Sequence, residues 1–340
     1  MKDLLRTVVK VLLERGHQFV GEAAPPLAAT VREKNSAVLV TLRFKNSQHR
    51  VVVKGIPADA MISTTQELFR VHHRIRSASD HLAASLPRFL GLIPDRDLLV
   101  IEFVPGPTLQ TLLNRAVFLW LRRHAAAALA ATARSLGEFH RWRAADVGVP
   151  CFLRLNRSFL PDMGHWWNRT RLVDFLSPQH QRLESLYDHL KPAFFDRAGD
   201  RLTPYDCQPK NVIVGGEGGV SFVDLDYFGA NPVISVAAFL GSLDRIGLRF
   251  PAGLSDRLTG AWKRKFLRSY CEHGAEDVVE DLVFFYPWTL VQQHDSLTAR
   301  HPRLRRYLAR YYGGRIDAFV SALDAVPWAE VRRSPERLFQ

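Results

Sequence analysis

The fold of this chain is decided by one stretch, residues 203–211, which reads TPYDCQPKN. It places Asp206 five residues before Asn211, and the chain continues as an apolar run, a Gly-rich turn and a second apolar run that ends at Asp224. Two short apolar runs around such a turn are typical of a β-hairpin. The pattern therefore predicts that two carboxylates and an amide meet at one end of a hairpin.

This set of side chains suits phosphoryl transfer. The reaction needs a carboxylate that positions the attacking hydroxyl and accepts its proton, and hard oxygen ligands for the Mg²⁺ that neutralises the phosphates. Asp206 is the candidate catalytic base, and Asn211 and Asp224 are the candidate metal ligands. Asp226, two residues further on, is open between a shared metal ligand and a surface carboxylate.

The first hundred residues are rich in predicted strands. Apolar residues occupy every second position over residues 38–44, a turn follows at 45–47, and a second apolar run, VVVK, ends at Lys54. Two such runs around a turn indicate a β-hairpin. Residues 64–76 have helical spacing and include Glu67, and residues 98–101 are a buried strand. A short amphipathic helix is expected at about 3–15.

The chain beyond residue 106 is mostly helical in pattern, with the hairpin at 211–224 embedded in it. Residues 125–142 are Ala-rich and favour a helix strongly. No Gly/Ser linker separates the strand-rich and helical parts. The sequence therefore predicts two lobes that touch across a cleft.

In chain order these pieces resemble the protein-kinase-like aminoglycoside phosphotransferase family over roughly residues 35–240. Residues 203–224 are similar to the family's catalytic loop and metal-binding turn. The resemblance implies that Lys54 contacts the nucleotide phosphates and that Glu67 is its ion-pair partner.

The segments at 86–91 and 98–106 are similar to the family's strand and adenine-binding hinge. This match implies that the Ile101 carbonyl and the Phe103 amide bond to adenine. The implied cofactors are ATP, with GTP not excluded, and Mg²⁺.

The same resemblance implies an α+β, protein-kinase-like fold with two lobes. Residues 1–103 would form the small β-rich nucleotide-binding lobe, with the leading helix. Residues 104–340 would form the larger, mostly helical lobe, which carries the catalytic hairpin and the acceptor site.

The chain also departs from the family pattern. Pro204 and Tyr205 stand where the family usually has His-Gly before its catalytic Asp, and Ser235 stands where it has a structural Asp. No GxGxxG precedes Lys54, so residues 33–36 are expected to form the turn over the nucleotide. The departures at 204–205 and 235 leave a second hypothesis open: a pseudokinase that keeps the fold and serves as a nucleotide-binding or regulatory protein.

Composition limits the class of protein further. The 340 residues are 47% hydrophobic and 24% charged, which is ordinary for a globular chain with a real core. Three cysteines lack CxxC spacing, so neither a disulfide framework, a disulfide-linked partner nor a zinc site is expected. The first sixteen residues are too charged for a signal peptide, which predicts a cytoplasmic protein.

Charge bears on the acceptor and on partners. The net charge of +12 favours anionic partners, but no stacking-aromatic signature or basic arm accompanies it, so specific nucleic-acid binding is not expected. The acceptor region at 241–333 carries more basic than acidic residues, which disfavours a polycationic aminoglycoside. A neutral or anionic small molecule, sugar or glycan intermediate fits better. A row of arginines at 303–310 also allows peripheral contact with an acidic membrane surface.

Overall fold

The structure is a computed structural model. It describes the following residues: 7–10, 28–34, 37–43, 48–56, 62, 64–116, 119–149, 200–204, 206–216, 218–224, 226–273 and 278–339. Of the leading helix predicted at 3–15, residues 7–10 are helical and the remainder lies outside the described residues.

The amino-terminal part is a five-stranded sheet in which every neighbouring pair of strands is antiparallel, in the order β1-β2-β3-β5-β4. The strands are β1 (Ala28–Lys34), β2 (Ala37–Arg43), β3 (Gln48–Gly55), β4 (Phe89–Ile93) and β5 (Leu98–Glu102). The hairpin of β2 and β3 was predicted and is confirmed. Of the nucleotide-covering turn predicted at residues 33–36, residues 33 and 34 are the last two residues of β1, and residues 35 and 36 lie outside the described part.

The period-two pattern of β3 determines the face on which Lys54 lies. Val51 and Val53 are buried against the sheet core, whereas Lys54 alternates with them and is partly exposed. Register places Lys54 opposite Ala37 on β2 and opposite Leu99 on β5. The lysine is thus held between two neighbouring strands.

Helix α1 (Thr65–Ala78) and the short helix α2 (Asp80–Ser85) connect β3 to β4. The hydroxyl of Thr64 caps α1 by accepting a hydrogen bond from the Glu67 backbone N–H at 3.2 Å, so the helix begins where the sequence pattern predicted. The apolar face of α1 packs into the large core that the helical part of the chain also fills. This shared core holds α1 against the second half of the molecule.

The second half is mainly helical. Its helices are α3 (Leu109–Arg115), α4 (Leu119–Arg141), α5 (Val233–Gly247), α6 (Ala252–Cys271), α7 (Val278–Arg300), α8 (Arg305–Ala325) and α9 (Trp328–Arg333). A 3₁₀ turn, Pro335–Phe339, follows. Within the described residues, no helix is both long enough and apolar enough to cross a bilayer.

Two strand pairs lie in this helical half and position the site. The predicted hairpin is confirmed as β7 (Val212–Val214) with β8 (Val220–Phe222). A second antiparallel pair, β6 (Arg201–Pro204) with β9 (Tyr227–Ala230), was not predicted. It fastens both ends of the segment that carries the candidate catalytic residues. The predicted α+β class, with a small β-rich part followed by a larger helical part, is confirmed, while the boundary at residues 103 and 104 stays a prediction.

Candidate active site

Asp206 comes two residues after the end of β6, in the loop that leads to the hairpin. Its φ of 50° lies in the left-handed region, and Asp224 shares this property with a φ of 62°. Such backbone conformations are uncommon for residues other than glycine and collect at functional loops. The two candidate carboxylates are therefore among the few described residues whose backbone is held in an unfavourable conformation.

The side chain of Asp206 is held by three neighbours. Asn211 donates its amide Nδ2 to Asp206 Oδ2 at 2.9 Å and to the Asp206 backbone carbonyl at 3.0 Å. Lys210 Nζ lies 3.0 Å from the same Oδ2, and Gln208 donates to Oδ1. These contacts fix the orientation of the carboxylate. The sequence interpretation missed Lys210 and Gln208, although the spacing of four from Asp206 to Lys210 is a signal for such a pair.

Asn211 is buried, and its amide nitrogen is already used. The remaining carbonyl oxygen is the group that could bind a cation. This is the arrangement expected of a ligand that must present oxygen rather than nitrogen.

Asp224 follows β8 and forms an ion pair with Lys54 across the two halves of the molecule. The lysine side chain is only 15% exposed, whereas the Asp224 side chain is 48% exposed. Burial lowers the pKa of Lys54, and the negative charges of Asp226 and Asp206 oppose that shift. The structure thus brings Lys54, Asp206 and Asp224 into one electrostatic cluster between β3 and the hairpin.

The predicted ion pair between Lys54 and Glu67 is not formed within the described residues. Lys54 contacts the Asp224 carboxylate instead. Glu67 lies in the first turn of α1, where its backbone N–H is bound to the Thr64 cap. Its carboxylate makes no ion pair with the lysine in this structure.

Asp226 is buried, so the reading of it as a surface carboxylate is wrong. Its Oδ1 accepts hydrogen bonds from the backbone N–H of Tyr227 at 2.9 Å and of Ile62 at 3.3 Å. The second bond joins the segment before α1 to the segment after the hairpin. The sequence spacing alone did not distinguish the buried Asp226 from the half-exposed Asp224.

Two buried histidines make hydrogen bonds near the segment that carries Asp206 and Asp224. His72 on α1 is hydrogen-bonded to the Tyr227 hydroxyl and to the Pro87 carbonyl, both at 2.7 Å. His140 at the end of α4 bonds the Tyr270 hydroxyl at 2.6 Å and Ser235 Oγ at 3.0 Å. Ser235, which replaces the family's structural Asp, thereby ties α5 to α4.

We expect His140 to make the protein sensitive to acid. Burial lowers its pKa to about 3 from an ordinary value of 6.5, with a smaller contribution from the charge of Arg201. Between these values the unfolded chain binds a proton that the folded chain does not, so the free energy of unfolding falls as pH decreases from 6.5 towards 3. His140→Gln should reduce that slope by one proton, about 1.4 kcal/mol per pH unit.

The measurement is urea unfolding at a series of pH values. His124→Gln, which changes an exposed histidine on the same helix, is the control and should leave the slope as in the wild type. An unchanged slope in His140→Gln would contradict the buried, neutral state of this imidazole.

The candidate adenine-binding residues lie at and beyond the end of β5. Ile101 is opposite Val52 on β3 and Phe89 on β4, and Phe103 follows the last strand residue. The guanidinium of Arg50 lies 5.3 Å from the centre of the Phe103 ring. The predicted hydrogen bonds from the Ile101 carbonyl and the Phe103 amide to adenine stay predictions.

A magnesium ion fits the donors at the hairpin. Asn211 offers a carbonyl oxygen and Asp224 a half-exposed carboxylate, and both are the hard oxygen ligands that Mg²⁺ prefers. No cluster of three His, Cys, Asp or Glu side chains suited to a metal is found in the described part of the chain. A pair of protein ligands is sufficient for Mg²⁺, which keeps several waters and binds substrate phosphates.

Cys207, next to the candidate base, is buried, and burial raises the pKa of its thiol. A buried neutral thiol is a poor nucleophile. Pro204, which stands where the family usually has histidine, is the last residue of β6 and lies opposite Tyr227 on β9. Tyr205, and the Trp166-Trp167 pair considered as an aromatic acceptor wall, lie outside the described residues.

Comparison with known proteins gives a consistent result at the level of fold. No protein-family model and no curated protein matches the chain. Among solved structures, APH(2″)-IIia with GDP and kanamycin is 15% identical, with a TM-score of 0.50, 91% of this chain and 97% of that chain covered. Aminoglycoside phosphotransferase APH(4)-Ia with AMP-PNP and hygromycin B is 14% identical, with the same TM-score and coverage.

An ethanolamine kinase of Plasmodium vivax is also similar, at 10% identity and a TM-score of 0.48, with 89% of this chain and 83% of that chain covered. The two structures with a TM-score of 0.50 are covered nearly end to end, which means that both halves of the chain match in order. The chain therefore has the protein-kinase-like fold of the aminoglycoside phosphotransferases, as the resemblance implied.

Proposed function

We propose that this protein is an ATP- and Mg²⁺-dependent phosphotransferase that acts on a hydroxyl of a small molecule, sugar or glycan intermediate. The observation that carries the proposal is the cluster of Lys54, Asp206, Asn211 and Asp224, drawn from both halves of the chain. The nucleotides held by the two similar solved structures, GDP and AMP-PNP, support the nucleotide part.

Each residue has a role in this proposal. Lys54 holds the nucleotide phosphates, which take the place of Asp224 as its anionic partner. Asn211 and Asp224 would hold Mg²⁺, which neutralises charge on the phosphates when bound. Asp206, oriented by Asn211, positions the acceptor hydroxyl for in-line attack and takes its proton.

The excess of basic residues in the region 241–333 supports a neutral or anionic acceptor over a polycationic one. A cytoplasmic location, where nucleotide and Mg²⁺ are available, belongs to the same proposal, as does the absence of a specific nucleic-acid partner.

Asp224→Ala tests the nucleotide site. A ligand that binds only the folded state raises the free energy of unfolding by RT ln(1 + [L]/Kd), about 2.7 kcal/mol at a hundred times Kd. We expect ATP to stabilise the wild type in a Mg²⁺-dependent way and the variant to lose that dependence. Thermal shift with ATP and with GTP, each with and without Mg²⁺, is the measurement.

Asp95→Ala is the matched control, because Asp95 is an exposed carboxylate in the strand-rich half that lies outside the cluster. It should respond to Mg²⁺ and ATP as the wild type does. If neither nucleotide shifts the folded wild type, the phosphotransferase proposal is wrong.

The second candidate function is a pseudokinase with a nucleotide-binding or regulatory role. One observation favours it: both carboxylate oxygens of Asp206 are engaged, by Gln208, Lys210 and Asn211. A screen of neutral and anionic hydroxyl compounds for ADP release separates the two functions. Mg²⁺-dependent ATP binding with no release above the Asp206→Ala background would favour the pseudokinase.

A further inference from the structure

A cavity of about 600 Å³ lies between α6, α8 and the carboxyl-terminal turn Pro335–Phe339. Its size falls within the range of small-molecule sites, roughly 300–1,000 Å³. None of its lining residues belongs to the segment 200–224 that carries the candidate catalytic loop. We call it the carboxyl-terminal cavity.

Two helices connect the surroundings of the candidate catalytic loop with the cavity. Helix α5 starts near the loop and α6 ends near it, and the cavity lies further along each helix. Asp244, which contacts four lining residues, comes nine residues after Ser235 on α5, or about 13 Å along the helix axis. Lys263 precedes Tyr270 by seven residues on α6, or about 10 Å. Ser235 and Tyr270 are the residues that contact His140 beside β6. The cavity and the catalytic loop are therefore separate places in the same helical half.

Cationic side chains dominate the wall of this cavity. Five of them line it, against the single carboxylate of Asp256. The five are Arg257, Lys263, Arg264, Arg310 and Arg315. Residues 296–316, which include the start of α8, contain six arginines and no Asp or Glu. The local excess of positive charge therefore extends beyond the lining itself.

Carboxylate partners neutralise two of these cations. Lys263 Nζ lies 2.5 Å from Asp244 Oδ1, in a pair that is almost wholly buried. Arg315 lies 3.5 Å from the same oxygen and 2.8 Å from Asp256. Their charges are used in holding α5, α6 and α8 together.

The other three cations have no carboxylate partner within the described residues. Arg264, which lines the cavity, donates to the Phe339 carbonyl at 2.5 Å. Arg257 and Arg310 are exposed and make no ion pair or hydrogen bond with any described residue. Three guanidinium groups without a carboxylate partner among the described residues therefore border one cavity, and such groups are the donors that suit a phosphate.

Aromatic rings supply the rest of the wall and a rigid frame. Tyr311 donates its hydroxyl to the Asp244 carbonyl at 2.8 Å, and Arg315 lies over its ring at 5.0 Å. Tyr286 donates to Asp244 Oδ2 at 2.8 Å, and Phe319 and Phe339 pack against its ring. Since these groups are already bonded or packed, the cavity is formed before a ligand arrives.

We propose that the carboxyl-terminal cavity binds a phosphorylated small molecule, with the phosphate on Arg257, Arg264 and Arg310 and the remainder against the aromatic wall. Guanidinium groups bind phosphate through paired, charge-assisted hydrogen bonds, which explains the use of arginine. The proposal does not rest on phosphotransferase activity, since no residue of the catalytic loop takes part.

The test is calorimetric titration of the full chain with fructose 1,6-bisphosphate and with pyrophosphate. Arg257→Gln combined with Arg310→Gln should raise Kd at least about tenfold, because each substitution removes a charge-assisted hydrogen bond to the phosphate. Arg303→Gln combined with Arg306→Gln is the matched control. It removes two exposed arginines next to the cavity that do not line it, so it changes the net charge equally.

A steric variant keeps every charge. Gly314 lines the cavity on α8, and a Cβ placed there meets no atom within 4 Å. Gly314→Leu should therefore fold, occupy the cavity and weaken binding as strongly as the double arginine variant. Gly253→Leu on α6, an exposed glycine outside the lining with equal room, is its control.

A lipid headgroup carries the same phosphate group as a soluble metabolite. Binding to lipid vesicles distinguishes these two sources of the phosphate. Leu304 and Tyr307 are exposed large apolar side chains beside this region, at 49% and 52%. If phosphatidic acid vesicles bind and Leu304→Ser with Tyr307→Ser abolishes only that binding, the phosphate comes from a lipid. If the soluble probes bind and the vesicles do not, it comes from a free metabolite.

Two results would overturn the proposal. One is the lack of saturable binding of both soluble probes and of vesicles by folded wild-type protein at millimolar concentration. The other is probe or vesicle binding that the Arg257 and Arg310 pair weakens no more than the Arg303 and Arg306 pair, which would assign the anion to another place or to net charge alone.

Discussion

Asp206→Ala is expected to lower kcat for phosphorylation of the acceptor by about 10²- to 10⁴-fold, the usual contribution of a positioned general base. The carboxylate is held by Asn211 in the loop between β6 and the hairpin, and no other described carboxylate is oriented by that asparagine. Removing it leaves the acceptor hydroxyl without a group to orient it or accept its proton. The measurement is steady-state ADP release with an acceptor found in the screen.

The control for this variant is nucleotide binding. Asp206→Ala should keep Mg²⁺-dependent stabilisation by ATP, since Lys54 and Asp224 are unchanged and Asn211 keeps its hydrogen bond to the backbone carbonyl of residue 206. Asp206→Asn, which keeps one acceptor oxygen for Asn211 but not the charge, should lose kcat to a similar extent. Wild-type kcat in either variant would show that Asp206 takes no part in the chemistry.

Asp244→Ala is expected to destabilise the fold by about 3–5 kcal/mol, because one buried carboxylate serves two cations. Its side chain is fully buried and contacts Lys263 and Arg315, and Tyr286 donates to it. Without it Lys263 is left as an unpaired charge whose side chain is 3% exposed. Burial already lowers the pKa of Lys263 to about 8, so the unpaired amine loses its proton more readily still.

Urea unfolding measures this loss, and Asp256→Ala is the matched control. Asp256 pairs with the same Arg315, but its side chain is 65% exposed, so its removal should change the free energy of unfolding by about 0–1 kcal/mol. Replacing Asp244 and Lys263 together by Leu and Met should recover much of the stability. Equal effects of Asp244→Ala and Asp256→Ala would contradict the role of burial.

Much of the fold followed from local pattern. The alternation before Lys54, the helical spacing of residues 64–76 and the Gly-rich turn after Val214 predict a strand, a helix and a hairpin that the structure contains. These features depend on neighbours a few residues away, which is why the sequence displays them. The pairing of β6 with β9 joins distant segments too short to carry a pattern, and it was missed.

The candidate site divides in the same way. Sequence spacing identified Asp206 and Asn211, which are bonded to each other within one loop. The family resemblance assigned Glu67 as the ion-pair partner of Lys54, whereas the structure pairs Lys54 with Asp224. Which carboxylate reaches a lysine depends on how β3, α1 and the hairpin pack, and no local pattern contains that information.

By itself, then, the sequence determined the β2–β3 and β7–β8 hairpins, the start of α1, the candidate catalytic loop and a basic helical half, because periodicity, turn chemistry and charge are local properties. Only the tertiary structure decided which charges are buried and which are left without partners. Asp244, Lys263 and Arg315 come from three helices and read in sequence as ordinary polar positions. Packing brings them into one buried cluster and leaves Arg257 and Arg310 facing a cavity, because desolvation depends on the surrounding elements.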